Sequence, residues 1–403
     1  MTIGTEFMNA KSEQPMKRRE FLRATGLAVG AVAVGPLYRA SAAPTIEVLE
    51  TRVISRQPQD YHGWPTVARR RNGQLLLVCS GSREQHVCPF GRVELMVSSD
   101  QGKTWGWPQV LLDSAIDDRD AGVLETAKGS ILVTSFTSLA YEPTLEKAQE
   151  KKPGEPGAWP EERLTSWQSA HNRLNAAQRR AELGQWMVRS TDGGVTWSAR
   201  YPTMVNSPHG PIQLADGRLL YPGVELWANP RRVGVCESTD DGLTWRWLAE
   251  IPARPGDDYR QYHELHGVET GDGRVVVHIR NHNQANDRET LQTESTDGGK
   301  TWTVPKPIGV WGLPSFLSRL QGGKLLMTYG YRRAPFGNQA RVSEDWGRTW
   351  SDPVVISGDG IGVDLGYPST VELDDGSLLT VWYQAMKGSS RAVLRQARWR
   401  LKA

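Results

Sequence analysis

Five segments of the chain share the pattern Ser-x-Asp-x-Gly-x-Thr-Trp: Ser98 to Trp105, Ser190 to Trp197, Ser238 to Trp245, Ser295 to Trp302 and Ser343 to Trp350. Repetition at this scale restricts the chain to architectures in which one small unit is copied and its neighbours bury its apolar faces. The residue types describe a turn. An Asp side chain accepts hydrogen bonds from turn backbone, Gly supplies a positive φ, and Trp packs a large ring between strands. Asp100, Asp192, Asp240, Asp297 and Asp345 are therefore read as turn-stabilising residues rather than proton carriers.

A second repeat counts the units. Gly73, Gly129, Gly217, Gly273, Gly323 and Gly376 each precede a short apolar strand, at spacings of 56, 88, 56, 50 and 53 residues. Six glycine-turn strands at this interval predict an all-β fold, a six-bladed β-propeller with Asp-box turns, over residues 44–403. A propeller must close its ring to hide a sheet edge. The stretch from Thr45 to Arg56 is the expected partner of the last blade, and the alternating run Arg391 to Leu401 is expected to be one of its strands. The spacing of 88 accommodates an insertion in blade 2 at about 141–184. Pro160-Glu161-Glu162 reads as a helix start, with Leu164, Trp167, Leu174, Ala177 and Ala181 as a helical face. Such an insertion forms a lid or wall over a pocket, or an interface.

Net charge is +3, from 48 basic and 45 acidic side chains, so the overall field selects neither nucleic acid nor an anionic membrane. Ahead of the repeats, Lys17-Arg18-Arg19-Glu20-Phe21-Leu22 precedes a small, apolar run from Ala24 to Leu37 and the small-residue stretch Ala40-Ser41-Ala42-Ala43. That pattern resembles a twin-arginine signal over residues 1–43, with an upstream extension before Met16. It implies export in the folded state to the periplasm or beyond, with no membrane anchor in the mature form. Cys79 and Cys88 either bridge or serve as small core residues. No Cys/His spacing matches a structural zinc site.

In a propeller the first strand of each blade lines the central channel. Counting nine residues back from each turn glycine gives Trp64, Asp120, Pro208, Glu264, Pro314 and Tyr367 at its mouth, with His62, Arg119, His209, His266 and Asp364 nearby. The three histidines could bind ligand hydroxyls, shuttle a proton or hold a metal.

The boxes and this constellation resemble the sialidase superfamily, whose Asp boxes join the third and fourth strands of each blade. Sialidases use a tyrosine nucleophile activated by a glutamate. Glu264 matches the family's glutamate, Arg280 its second sugar-carboxylate arginine, Arg332 or Arg333 the region of its third, and Tyr367 the nucleophile's place. Arg83 matches a further site arginine in position. The resemblance implies a glycan substrate, a carboxylate-gripping arginine cluster and no cofactor.

Two positions depart from the family. Gly63, in His62-Gly63-Trp64-Pro65, stands where the first arginine belongs, and the loop Glu84 to Arg92 lacks the acid/base aspartate. Arg119 or Arg56 could restore the arginine, and His86, Glu84, Asp60, Asp118 or Asp120 could supply the acid. Trp64 and His62 would bound the sugar floor. The expected activity is exo-glycosidic release of a terminal anionic sugar. The alternatives are a hydrolase or lyase for uronic acid or deoxy-sugar glycans, and a carbohydrate-binding propeller without catalysis.

Overall fold

The computed structural model describes residues 44–389 and 391–402, so the expected signal and extension lie outside the described residues. Within them, 24 strands form six antiparallel sheets of four. Blade 1 is β2 (Tyr61–Arg69), β3 (Leu75–Arg83), β4 (Arg92–Ser98) and β5 (Gln109–Leu112); blade 2 is β6 (Asp117–Glu125), β7 (Ile131–Ser138), β8 (Gln185–Ser190) and β9 (Tyr201–Pro202). Blades 3, 4 and 5 begin at β10 (Ile212–Gln213), β14 (Tyr262–Glu269) and β18 (Ser315–Arg319). Blade 6 is β22 (Leu365–Glu372), β23 (Leu378–Ala385), β24 (Ala392–Leu401) and, outermost, β1 (Ile46–Val53). The ring thus closes as the sequence predicts, β1 pairing with β24 from Ile46↔Leu401 to Val53↔Arg395.

Each Asp box joins a third strand to a fourth. In the first, Asp100 accepts from the Thr104 backbone N–H at 2.8 Å and the Thr104 hydroxyl at 2.6 Å, while the Ser98 hydroxyl accepts from the Gly102 N–H at 2.9 Å. Blade 6 needs no sixth box, because its fourth strand comes from the other end of the chain and no turn links the two. The glycine turns join first strands to second. At Gly217 a Cβ would meet nothing within 4 Å, so the requirement there is the φ of +90° and not space.

Strands such as Leu75-Leu76-Leu77-Val78 are apolar on both faces because each sheet is covered by a neighbouring blade on either side. The core is accordingly a set of layers between blades. One layer joins Leu77 and Cys79 of blade 1 to Leu379, Val381 and Tyr383 of blade 6. Another buries Trp382 and Trp399 between blades 5 and 6, with the Trp399 indole N–H donating to Thr380 Oγ1 at 2.9 Å. Truncating a buried side chain in such a layer costs about 2–5 kcal/mol.

The insertion lies between β7 and β8 as α1 (Glu142–Gln149), α2 (Glu161–His171) and α3 (Ala176–Ala181). The single helical face expected from Leu164 to Ala181 is divided between α2 and α3. Asn175 starts a new helix with a capping box, its side chain accepting from the Gln178 N–H at 3.0 Å and Gln178 reciprocating at 3.0 Å. Trp167 is fully buried with Cys88, Ile116, Tyr141 and Leu145, and donates to Glu84 Oε2 at 2.7 Å. The insertion therefore packs against the loop between β3 and β4. Cys79 and Cys88 sit in different layers as free, buried thiols.

Candidate active site

Three non-glycine residues at the mouth adopt left-handed backbone: Trp64 at φ +53°, Asp120 at +45° and Tyr367 at +51°. Each lies nine residues before its turn glycine, where the pairing of the first two strands slips, between Gly63 and Thr66, Arg119 and Gly122, and Gly366 and Ser369. Such conformations cost about 1–3 kcal/mol each and persist where the surroundings impose them. The bulges turn these side chains out of the regular alternation of their strands.

Tyr367 donates its phenol to Glu264 Oε1 at 2.5 Å. Arg280 Nη1 donates to Glu264 Oε2 at 2.6 Å and to the Tyr367 hydroxyl at 3.1 Å, so one guanidinium nitrogen serves both. Burial alone would push the Glu264 carboxyl up, but the Arg280 charge and the Tyr367 and Arg280 hydrogen bonds hold it at about 2. Burial and the Glu264 charge push the Tyr367 phenol well above its ordinary value. The resting pair is thus a neutral phenol on a carboxylate. Arg280 Nε is directed at His282 Nε2, 2.8 Å away, and His282 packs on His263 at 4.1 Å between ring centroids.

Asp120 is 7% exposed, and its Oδ1 has no hydrogen-bond partner. Burial pushes its carboxyl up to about 7, with Glu264 adding to the rise and Arg119, Arg83 and Arg280 opposing it. Its charge is felt in turn at Tyr367. Arg119 lies over the Trp64 ring at 4.4 Å, and Trp64 meets Tyr367 edge to face at 6.5 Å. Arg332 holds the Leu365 carbonyl through Nε at 3.0 Å and places its guanidinium 5.7 Å from the Tyr367 ring. Arg333 stacks on Trp311 at 4.0 Å.

Other expected residues are placed elsewhere. Arg83 is 1% exposed and gives both terminal nitrogens to Asp117, at 2.6 and 2.9 Å, so it supports the site from below instead of facing the mouth. Trp64 is buried beneath Arg119 and offers no open face for a sugar. His62 is buried between the Asp60 carbonyl at 3.2 Å and Glu94 at 3.6 Å. His266 accepts the Leu317 N–H at 2.9 Å and stacks on Phe316, and His209 packs against both rings. Burial pushes His209 down to about 3 and His266 well below its ordinary value, which removes them as proton donors near neutrality. These histidines border an axial cavity of about 780 Å³ that extends to the turn-glycine end, away from Tyr367. Among the described residues no three His, Cys, Asp or Glu side chains group to hold a metal. Arg56 binds the Trp105 carbonyl at 2.7 Å, Asp118 accepts from the Ser114 N–H at 2.6 Å, and Glu84 is held by Arg163 and Trp167.

Residues 156–380 match the BNR repeat-like domain family, more than half of the chain. The chain belongs to this family. Its fold is similar to a protein of unknown function from Dyadobacter fermentans, at 24% identity over 89% of this chain and 99% of that one, with a TM-score of 0.69. It is also similar to Trypanosoma rangeli sialidase in complex with sialic acid, at 18% identity over 89% of this chain and 59% of the enzyme, TM-score 0.57. The NanB sialidase of Streptococcus pneumoniae aligns at 15% identity over 93% of this chain and 73% of that one, TM-score 0.58. No curated protein sequence matches the chain.

Within this BNR propeller, a corner that the repeat count did not pick out stands beside Gly63. The Tyr61 hydroxyl donates to Asp364 at 2.9 and 3.0 Å, and His86 Nδ1 donates to Asp364 Oδ1 at 2.8 Å. His86 in turn packs edge to face on Trp64 at 5.0 Å, which joins this corner to the Tyr367 side of the mouth. Asp364 was visible in the sequence only as a neighbour of Tyr367, and Tyr61 carried no signal.

Proposed function

We propose that this BNR propeller is an exo-acting glycosidase that removes terminal anionic sugars from glycans through a covalent tyrosine intermediate. The reading rests on one observation: a neutral phenol, a carboxylate and a shared arginine are locked together beside an unpartnered carboxyl that titrates near neutrality. In the first step Tyr367 Oη attacks the anomeric carbon and passes its proton to Glu264, while the glycosidic oxygen departs with a proton from Asp120. In the second, water attacks the glycosyl-tyrosine, its proton goes to Asp120, and Tyr367 leaves by recovering its proton from Glu264. Two inversions retain the anomeric configuration. Arg280 and Arg332 meet the substrate carboxylate, since guanidinium donors match its two oxygens.

Asp120 is assigned the acid role over His86 because its carboxyl lacks a partner, whereas the His86 Nδ1 is committed to Asp364. The twin-arginine-like segment at Arg18-Arg19 supports export of the folded domain, which Arg18→Lys/Arg19→Lys retention in the cytoplasm would test. For the activity, the mature protein is incubated with aryl glycosides of sialic acid, hexuronic acids and neutral hexoses. Release of aryl alcohol that Tyr367→Phe abolishes supports the reading, and turnover that survives this change overturns it. An unsaturated uronate product identifies a lyase instead.

A further inference from the structure

The loss of the family's first arginine at Gly63 is a replacement, not a gap. A Cβ on Gly63 would lie 3.2 Å from Tyr61 Cε1 and 3.9 Å from its hydroxyl, so the Tyr61 ring stands where a side chain at position 63 would leave the backbone. That hydroxyl ends on Asp364, which also receives His86. Asp364 and His86 are 37% and 46% exposed, so both are reachable from solvent. Burial raises the Asp364 carboxyl, yet the His86 and Tyr61 hydrogen bonds hold it below its usual range and keep it ionised. At His86 lost hydration, with the Arg119 and Arg83 charges, outweighs the Asp364 hydrogen bond and charge and lowers the imidazole below its ordinary value. Where the family resemblance places a guanidinium, this chain presents a carboxylate and an imidazole, with the Arg119 guanidinium set over the Trp64 ring that His86 packs on.

A sugar whose carboxylate is borne on the anomeric carbon must bring that anion into the reacting corner itself, beside Tyr367. Like charges placed together oppose binding, and the guanidinium beside Tyr367, that of Arg280, is already shared with the Glu264 carboxylate. A hexuronic acid carries only hydrogen and the leaving group at its anomeric carbon. Its carboxylate is borne across the ring oxygen from the anomeric carbon, where Arg332, held through Nε to the Leu365 carbonyl, would meet it, and its ring hydroxyls donate well to a carboxylate and to an imidazole nitrogen. We infer that the Tyr61–Asp364–His86 corner is a hydroxyl-recognising subsite that selects a terminal hexuronic acid over a sialic acid. The inference rests on the proposed glycosidase reading for the placement of the anomeric carbon, but its test by binding does not require turnover.

Calorimetric titration of the intact protein with a panel of free hexuronic acids, N-acetylneuraminic acid and glucose reads the selectivity directly. The expected result is at least tenfold tighter binding of the preferred hexuronate than of either of the others. Asp364→Asn is expected to narrow the hexuronate to N-acetylneuraminate ratio at least threefold, and His86→Gln to weaken the hexuronate alone, with melting temperatures recorded for both variants. Should Asp364→Asn fail to fold, His86→Gln carries the comparison. Equal or tighter binding of N-acetylneuraminate or glucose overturns the inference, as does a panel in which no hexuronate binds. Retained turnover in Tyr367→Phe would overturn the mechanism while leaving the binding ratio as the judge of the subsite.

Discussion

Tyr367 and Glu264 stand on the first strands of blades 6 and 4, 103 residues apart in the chain, and meet through a 2.5 Å hydrogen bond. Arg280 ties the two, and the roles of the pair separate on mutation. Tyr367→Phe removes the oxygen proposed to attack and leaves Glu264 on Arg280, so the proposed activity is expected to fall about 10²–10⁴-fold or more while thermal stability holds. Glu264→Gln removes the proposed proton acceptor and strands the Arg280 charge, so it is expected to lose comparable activity and also about 3 kcal/mol of stability. Steady-state kinetics and denaturant unfolding on both variants check this division. Equal stability losses would contradict it.

In the proposed mechanism Asp120 sets the alkaline limb. A general acid must be protonated, and this carboxyl titrates at about 7, so kcat/KM is expected to fall about tenfold per pH unit above that value. Glu264, at about 2, stays ionised throughout the working range. Asp120→Asn should flatten the alkaline limb and slow substrates with poor leaving groups far more than activated aryl glycosides. A pH profile unchanged in shape would move the acid role to another residue.

The same group destabilises the fold as pH rises. Its folded value lies above the ordinary carboxyl value near 3.9, so its favourable contribution is complete below pH 4 and is lost through pH 7, by about 4 kcal/mol at most. Asn at position 120 removes this charge and tolerates the left-handed backbone at φ +45°. Asp120→Asn should therefore melt higher than the parent at pH 8 and close to it at pH 4, trading activity for stability. Melting curves at the two pH values decide it.

The blade count and ring closure were legible because both follow from local chemistry that repeats: an Asp that caps a turn, a Gly that needs a positive φ, a Trp that fills a seam. Nine residues back from each glycine found Trp64, Asp120, Glu264 and Tyr367 for the same reason, since strand length fixes where each first strand begins. Direction was not legible. Whether Arg83 faces the mouth or Asp117 depends on a partner 34 residues away, and whether His62 is open depends on Glu94 behind it. The Tyr61–Asp364 bond spans 303 residues and has no local signature at all.

Asp345→Ala tests the structural reading of the boxes. Asp345 accepts from the Thr349 N–H at 2.8 Å, the Thr349 hydroxyl at 2.6 Å and the Ser343 hydroxyl at 2.8 Å, far along the chain from the mouth residues of its blade. Loss of these bonds should cost about 1–3 kcal/mol in urea unfolding and leave kcat within twofold. A large kcat loss without a stability loss would reassign the box.

The insertion acts on the site through one loop. Trp167 is fully buried, and its indole N–H reaches Glu84 Oε2 at 2.7 Å, two residues before His86. The His86 carbonyl in turn accepts from Arg83 at 3.0 Å, so the loop is pinned from the insertion on one side and from blade 1 on the other. Trp167→Ala empties a large volume and releases Glu84, which should cost about 3–5 kcal/mol of insertion stability. With His86 less firmly set against Asp364, KM should rise several-fold while the Tyr367–Glu264 chemistry, and hence kcat, changes little. Trp167→Phe keeps most of the packing and lacks only the N–H, so it should recover most of the stability but not all of the KM. Equal KM values for the Ala variant and the parent would show that the insertion does not position the loop.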